Sequence, residues 1–217
     1  MPDRTINLTF HGIGRTVRWL DPGEDEVWLS HERFLSILDE VAERPDVAIS
    51  FDDGNESDVA LALPALRERG LSATFFVVAG RLGEPTFLDH AGVRALAAAG
   101  MEIGCHGMRH RAWRGLDRRA LHEELVEAKA ILERTLRRSV TRAACPFGSY
   151  DRRVLRALRD CGYERVYTSD RGTAPAGSFL QTRNSVGPRD RHVRLDDIRA
   201  LDRGPIRHAK GLVKRWR

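Results

Sequence analysis

The sequence predicts an α/β fold, a small or irregular parallel (β/α) barrel in one domain, and three observations carry that expectation. Short apolar runs with β-branched members alternate with amphipathic stretches six or seven times, without an internal sequence repeat. That is the rhythm of parallel strands joined by crossover helices. The 217 residues suffice for one domain with a real core but are few for a full eight-fold barrel. Finally, the residues able to do chemistry stand just after the apolar runs, at strand C-terminal ends, where such folds gather their sites.

Taken in order, Thr5 to Phe10 is a first strand ending in His11-Gly12-Ile13-Gly14, so it delivers a histidine to a glycine-softened turn. Arg15 to Ser30 is irregular, and its acidic Glu24-Asp25-Glu26 reads as a surface loop. Ser30 is placed to cap a helix over 31–44, with Phe34, Leu35, Leu38 and Val41 at helical spacing and Pro45 beyond its end. Val47 to Phe51 is a buried strand that stops in Asp52-Asp53-Gly54. A helix over 56–69 ends at Gly70, and Pro64 inside it predicts a kink or a late start. Strands over 73–78 and 101–105 flank a helix over 89–99, and the second hands over to His106. Asp117 caps a long helix to Arg138, with Leu121, Leu125, Ala128 and Leu132 on one face and charges on the other. Ala143-Ala144-Cys145 leads into Pro146-Phe147-Gly148, Asp151 opens a helix to Cys161, and strands over 165–169 and 178–183 precede a short helix over 195–201. The domain reads as 1–200 and the remainder, 201–217, as a basic tail.

Composition narrows the function. Hydrophobic residues at 41% and charged residues at 31% describe an ordinary soluble globular protein. No run approaches a membrane span, and Met1-Pro2-Asp3-Arg4 lacks the apolar core of a signal peptide, so the cytoplasm is the expected location. Cys105, Cys145 and Cys161 are too few and too irregular for a disulfide framework, and no CxxC pair supports a structural zinc at Cys105. The net charge of +5 comes from arginines scattered along helices rather than clustered with aromatics, which argues against nucleic acid as a partner. After Asp202 the tail carries Arg203, Arg207, Lys210, Lys214, Arg215 and Arg217 without an acid. It reads either as a solvated terminus or as a peripheral contact with anionic lipid or a lipid-linked, phosphorylated substrate.

The chemistry concentrates in two stretches, Ser50-Phe51-Asp52-Asp53-Gly54 and His106-Gly107-Met108-Arg109-His110. Adjacent acids repel, and such a pair persists where a cation or proton offsets one charge. One carboxylate and two imidazoles are a common ligand set for a catalytic metal with open positions, so the residues point to a metal-dependent hydrolase. His31, His90, His122, His192 and His208 fall on helices or the tail and read as solvated. Trp19, Trp28 and Trp113 read either as sugar-stacking platforms or as anchors and core. Arg183, at a strand end, either binds an anionic group or neutralises the carboxylates.

Together with Cys145-Pro146-Phe147-Gly148-Ser149-Tyr150, these stretches resemble the polysaccharide deacetylases with a NodB-homology domain, carbohydrate esterase family 4, over residues 5 to 190. The resemblance implies a distorted (β/α) barrel of about seven strands and removal of acetyl groups from amino sugars with a divalent metal, most often zinc, with cobalt or nickel as alternatives. By matching positions it implies Asp53, His106 and His110 as metal ligands, Asp52 as general base and Phe147, between Pro146 and Gly148, as backbone oxyanion donor. The family's usual acid, in a Leu-x-His motif near the C-terminus, has no match. Leu8-Thr9-Phe10-His11-Gly12 instead resembles the circularly permuted branch, which makes His11 the general acid. Two positions depart from the pattern. Ala144 stands where an arginine orients the base, a role open to Arg142, and Gly107 stands where Ser or Thr is usual. The substrate so implied is an N-acetylated sugar, as polysaccharide, oligosaccharide or lipid- or nucleotide-linked precursor. A small non-sugar amide and a catalytically inactive saccharide-binding relative are the alternatives.

Overall fold

The structure, a computed structural model, describes residues 3–16, 18–190 and 193–203. Seven parallel strands close a barrel. β1 (Arg4–Phe10), β2 (Val47–Asp53), β3 (Ala73–Val77), β4 (Glu102–Cys105), β5 (Arg142–Ala144) and β6 (Arg165–Thr168) pair in that order, and β8 (Leu180–Ser185) bridges β6 back to β1. The two-residue β7 (Ala174–Pro175) adds an antiparallel flap to β1 that the sequence did not announce. Around the strands run α1 (His31–Val41), α2 (Leu63–Glu68), α3 (His90–Ala98), α4 (Arg118–His122), α5 (Ala128–Leu136), α6 (Arg152–Asp160) and α7 (Leu195–Ala200). The expected distorted barrel of seven strands is what forms.

Strand alternation sorts the side chains. Phe10, Phe51 and Phe75 stand opposite one another across β1, β2 and β3, stacked at centroid distances of 5.3 and 4.6 Å, with Phe34 of α1 edge-on at 5.2 Å from Phe10. They form the layer between barrel and helices. The alternate positions face the barrel interior and are polar: Thr9 and Ser50 hydrogen-bond at 2.9 Å, Asn7 donates to Gln181 at 3.2 Å, and Asp52 pairs with Arg183. Helices begin where sequence places them, because Ser30, Asp89, Asp117 and Asp151 each accept a backbone N–H three residues on.

Three expectations need correction, and a fourth, the late start at Pro64, is borne out, with α2 beginning at Leu63. Glu24 is not in a solvated loop; it is buried in a short 3-10 turn, Glu24–Glu26, and paired with Arg18, whose guanidinium lies over the rings of Trp28 and Phe87. The helix through Pro64 opens with a π-helical turn, Asp58–Ala62, where the Leu63 N–H reaches back to the Asp58 carbonyl. Proline has no N–H for the α ladder and its ring needs room, so the chain widens there. The long helix from Asp117 is likewise broken by a π turn, Glu123–Glu127, between α4 and α5. Its supposedly charged face therefore contains the fully buried Glu124. The last strand is shifted toward the C-terminus of its expected range, which moves Arg183 from strand end to strand interior. Residues 204–217, most of the expected tail, lie outside the described residues, as do His192 and His208. No helix among the described residues is long and apolar enough to cross a membrane.

Candidate active site

The site forms where β1, β2, β4 and β5 end, with Arg183 reaching it from within β8. Regular alternation would send Asp52 and Asp53 to opposite faces, but Asp53 adopts φ 78° and breaks it. Both carboxylates then meet one imidazole: His106 Nε2 lies 3.6 Å from Asp52 Oδ2 and 3.6 Å from Asp53 Oδ1. His110 Nε2 lies 3.3 Å from Asp53 Oδ1. Ligand atoms of Asp53, His106 and His110 all fall within 4.8 Å of one another. His110 and Phe147 also have positive φ, 51° and 56°, so three site residues hold a conformation that side chains disfavour. Strain of that kind persists where surrounding contacts over-determine it.

The donor set fits a divalent metal. Asp53 Oδ1 is buried without a hydrogen-bond partner among the described residues. His106 Nδ1 donates to the Ala144 carbonyl at 2.9 Å, which fixes the tautomer and leaves the Nε2 lone pair facing Asp53. Burial pushes the His106 imidazole down to about 4 against the pull of Asp52, keeping it in the neutral, ligating form. Asp58, fully buried on its π turn, has neither carboxyl oxygen hydrogen-bonded among the described residues, and burial, then Asp53 and Asp52, push it well above the usual carboxylate range. That direction favours its uncharged form.

Asp52 behaves differently. Burial pushes its carboxyl up, but Arg183, with His106 and His11, outweighs burial and holds it down at about 2. The Arg183 guanidinium comes from β8, is itself buried, pairs with Asp52 Oδ1 and lies over the Phe76 ring at 5.4 Å. Arg142, the candidate for the arginine missing at Ala144, points elsewhere: it donates to Thr74 Oγ1 at 3.0 Å and pairs with Glu102 at 3.8 Å, and the guanidinium beside Asp52 is that of Arg183. The sequence flagged Arg183 as a charge near the acids but contained no sign of which carboxylate it would meet.

His11 Nε2 stands 3.9 Å from Asp52 Oδ2, and its buried Nδ1 has no hydrogen-bond partner among the described residues. Gly12 beside it admits no side chain, because a Cβ would enter the Trp28 ring, whose Nε1 donates to the Gly14 carbonyl at 2.8 Å. Trp28 is thus an anchor of the β1 turn. Trp113 is fully buried core, while Trp19 is 98% exposed. Pro146, Phe147 and Gly148 form a 3-10 turn after β5, with the exposed Phe147 ring 4.6 Å from that of His110. Pro146 has no N–H and the Gly148 N–H donates to the Cys145 carbonyl at 3.0 Å, so within the turn it is the Phe147 N–H that can meet a developing negative charge. His31, His90 and His122 are exposed, as expected. Cys105 is buried, with its thiol pushed up to about 11 by that burial, and its Sγ accepts the Gly107 N–H at 3.3 Å.

A family model described as polysaccharide deacetylase matches residues 39–166. The chain is 25% identical over 175 residues to YxkH of Bacillus subtilis (strain 168), whose name places it among the polysaccharide deacetylases; the match covers 79% of this chain and 63% of YxkH. The chain thus spans less than two thirds of that relative. Among solved structures, the Streptococcus pyogenes deacetylase PplD in complex with acetate superposes with a TM-score of 0.75 at 20% identity, over 87% of this chain and 95% of that one. IcaB from Ammonifex degensii superposes with a TM-score of 0.74 at 20% identity, over 94% and 98%. These likenesses show the same barrel.

Proposed function

The chain belongs to the polysaccharide deacetylase family, and from that premise we propose that it hydrolyses the acetyl amide of an N-acetylated sugar with a divalent metal held by Asp53, His106 and His110. The observation that carries this reading is the orphaned Asp53 Oδ1 facing two imidazoles whose Nε2 atoms converge on it. The carboxylate and imidazole set favours zinc, with cobalt or nickel as alternatives. Such an ion supplies Lewis-acid polarisation of the carbonyl and acidifies water.

The chain's own groups divide the proton traffic. Asp52, ionised and oriented by Arg183, takes the proton of the attacking water. His11, on the other side of Asp52, hands a proton to the leaving nitrogen, without which an amine anion would have to depart. The Phe147 N–H donates to the oxyanion of the tetrahedral intermediate. A polysaccharide, an oligosaccharide and a lipid- or nucleotide-linked saccharide all present the required group.

The test is acetate release from free, nucleotide-linked and lipid-linked N-acetylglucosamine substrates by zinc- or cobalt-loaded protein. Wild type should release acetate, and Asp52→Asn should lose about 100-fold or more of that rate. A comparable loss in His11→Ala supports its role as acid. Metal binding without acetate from any substrate would favour hydrolysis of a small amide instead, and failure to bind metal would favour an inactive saccharide-binding relative.

A further inference from the structure

We infer that Glu124 is the positioning residue that sets the His106–His110 segment for metal binding, an inference that rests on the metal site proposed above. Glu124 lies on the π turn Glu123–Glu127 and is completely buried. Its carboxylate accepts the Met108 N–H at 2.9 Å, the Arg109 N–H at 3.2 Å and the Trp113 Nε1–H at 3.3 Å. Three N–H donors converging on one side chain require an acceptor-only group, and a carboxylate is the one that fits.

The opposite side of the same segment is held by backbone. The Gly107 carbonyl accepts from Ala79 at 2.9 Å and the Met108 carbonyl from Gly80 at 3.0 Å. The loop between the two histidines is therefore clamped, with strand-end backbone on one side and one carboxylate on the other. Gly107 completes the fit: its φ is +84°, and a Cβ there would collide with Glu124 Oε2. The glycine at 107 and the glutamate at 124 thus depend on each other.

The clamp acts unequally on the two ligands. His106 has anchors of its own, its N–H on the Val77 carbonyl at 2.9 Å and its Nδ1 on the Ala144 carbonyl. His110 sits at the far end of the clamped loop with φ 51°. Losing the Glu124 acceptors frees that strained backbone to relax and carries His110 away from Asp53, while His106 stays.

Zinc and cobalt affinities of the purified apoprotein, from competition with a chromophoric chelator, test this together with the visible absorption of the cobalt form. Glu124→Gln, which keeps the shape but puts an NH₂ among N–H donors, should weaken both metals about 10- to 100-fold and alter the cobalt absorption. Leu132→Ala, a core cavity on α5 away from the loop, should lower thermal stability yet leave affinity and absorption unchanged. Affinity and absorption at wild-type values in Glu124→Gln would overturn the inference and leave the proposed function standing. A wild type that binds neither metal would overturn both. If Glu124→Ala does not fold, the near-isosteric Gln variant decides.

Discussion

At the scale of single residues, the Asp52–Arg183 pair decides how the site titrates. Both groups are buried, and the Asp52 carboxyl is held at about 2 against an ordinary value of 3.8. Because the folded value is depressed, the pair's contribution to stability is present above the ordinary carboxylate range and is lost as pH falls toward 2. Removing the arginine removes the largest attraction holding the carboxylate ionised. In Arg183→Ala the acid limb of kcat/KM should therefore move up by roughly one to three pH units. Arg183→Lys restores a charge without the planar fork and should recover only part of that displacement, measured by the pH dependence of acetate release. An acid limb unmoved in both variants would mean that Asp52 is not the base.

At the scale of elements, two π turns and one aromatic ladder do most of the positioning. Each π turn inserts an extra residue that α periodicity does not allow for, and each carries a buried acid, Asp58 on the first and Glu124 on the second. π turns recur at functional sites because they re-aim side chains without ending a helix. The ladder Phe10, Phe51 and Phe75, with Phe34 of α1 against it, locks β1, β2 and β3 in register immediately before His11 and Asp52. Phe51→Ala opens a cavity in that ladder and should lower unfolding free energy by about 3–5 kcal/mol, read from the urea midpoint at unchanged m-value. The aromatic ladder was legible in sequence as apolar runs. The π turns were not, since a helical wheel assumes the period that they violate.

At the scale of the whole molecule, barrel closure matters most, because β8 reaches β1 and brings residue 183 to residue 52. A metal held by Asp53, His106 and His110 would stabilise the folded chain by mass action. At a free zinc concentration 100 times Kd the gain is about 2.7 kcal/mol. For a chain of this size that raises the thermal midpoint by roughly 5 to 11 °C. A scan of apoprotein with and without zinc checks the rise, and it should vanish in His110→Ala. The sequence by itself determined the alternating strands and helices, the helix starts at Ser30, Asp117 and Asp151, and which residues stand at the strand ends beside the metal-type ligands. Those features depend on local periodicity and on short motifs, which neighbouring residues carry. Only the tertiary structure decided that Arg183 rather than Arg142 faces Asp52 and that Glu24, Asp58 and Glu124 are buried. Those outcomes depend on which strand follows which around the barrel and on where the helices widen, and no local run of residues encodes either.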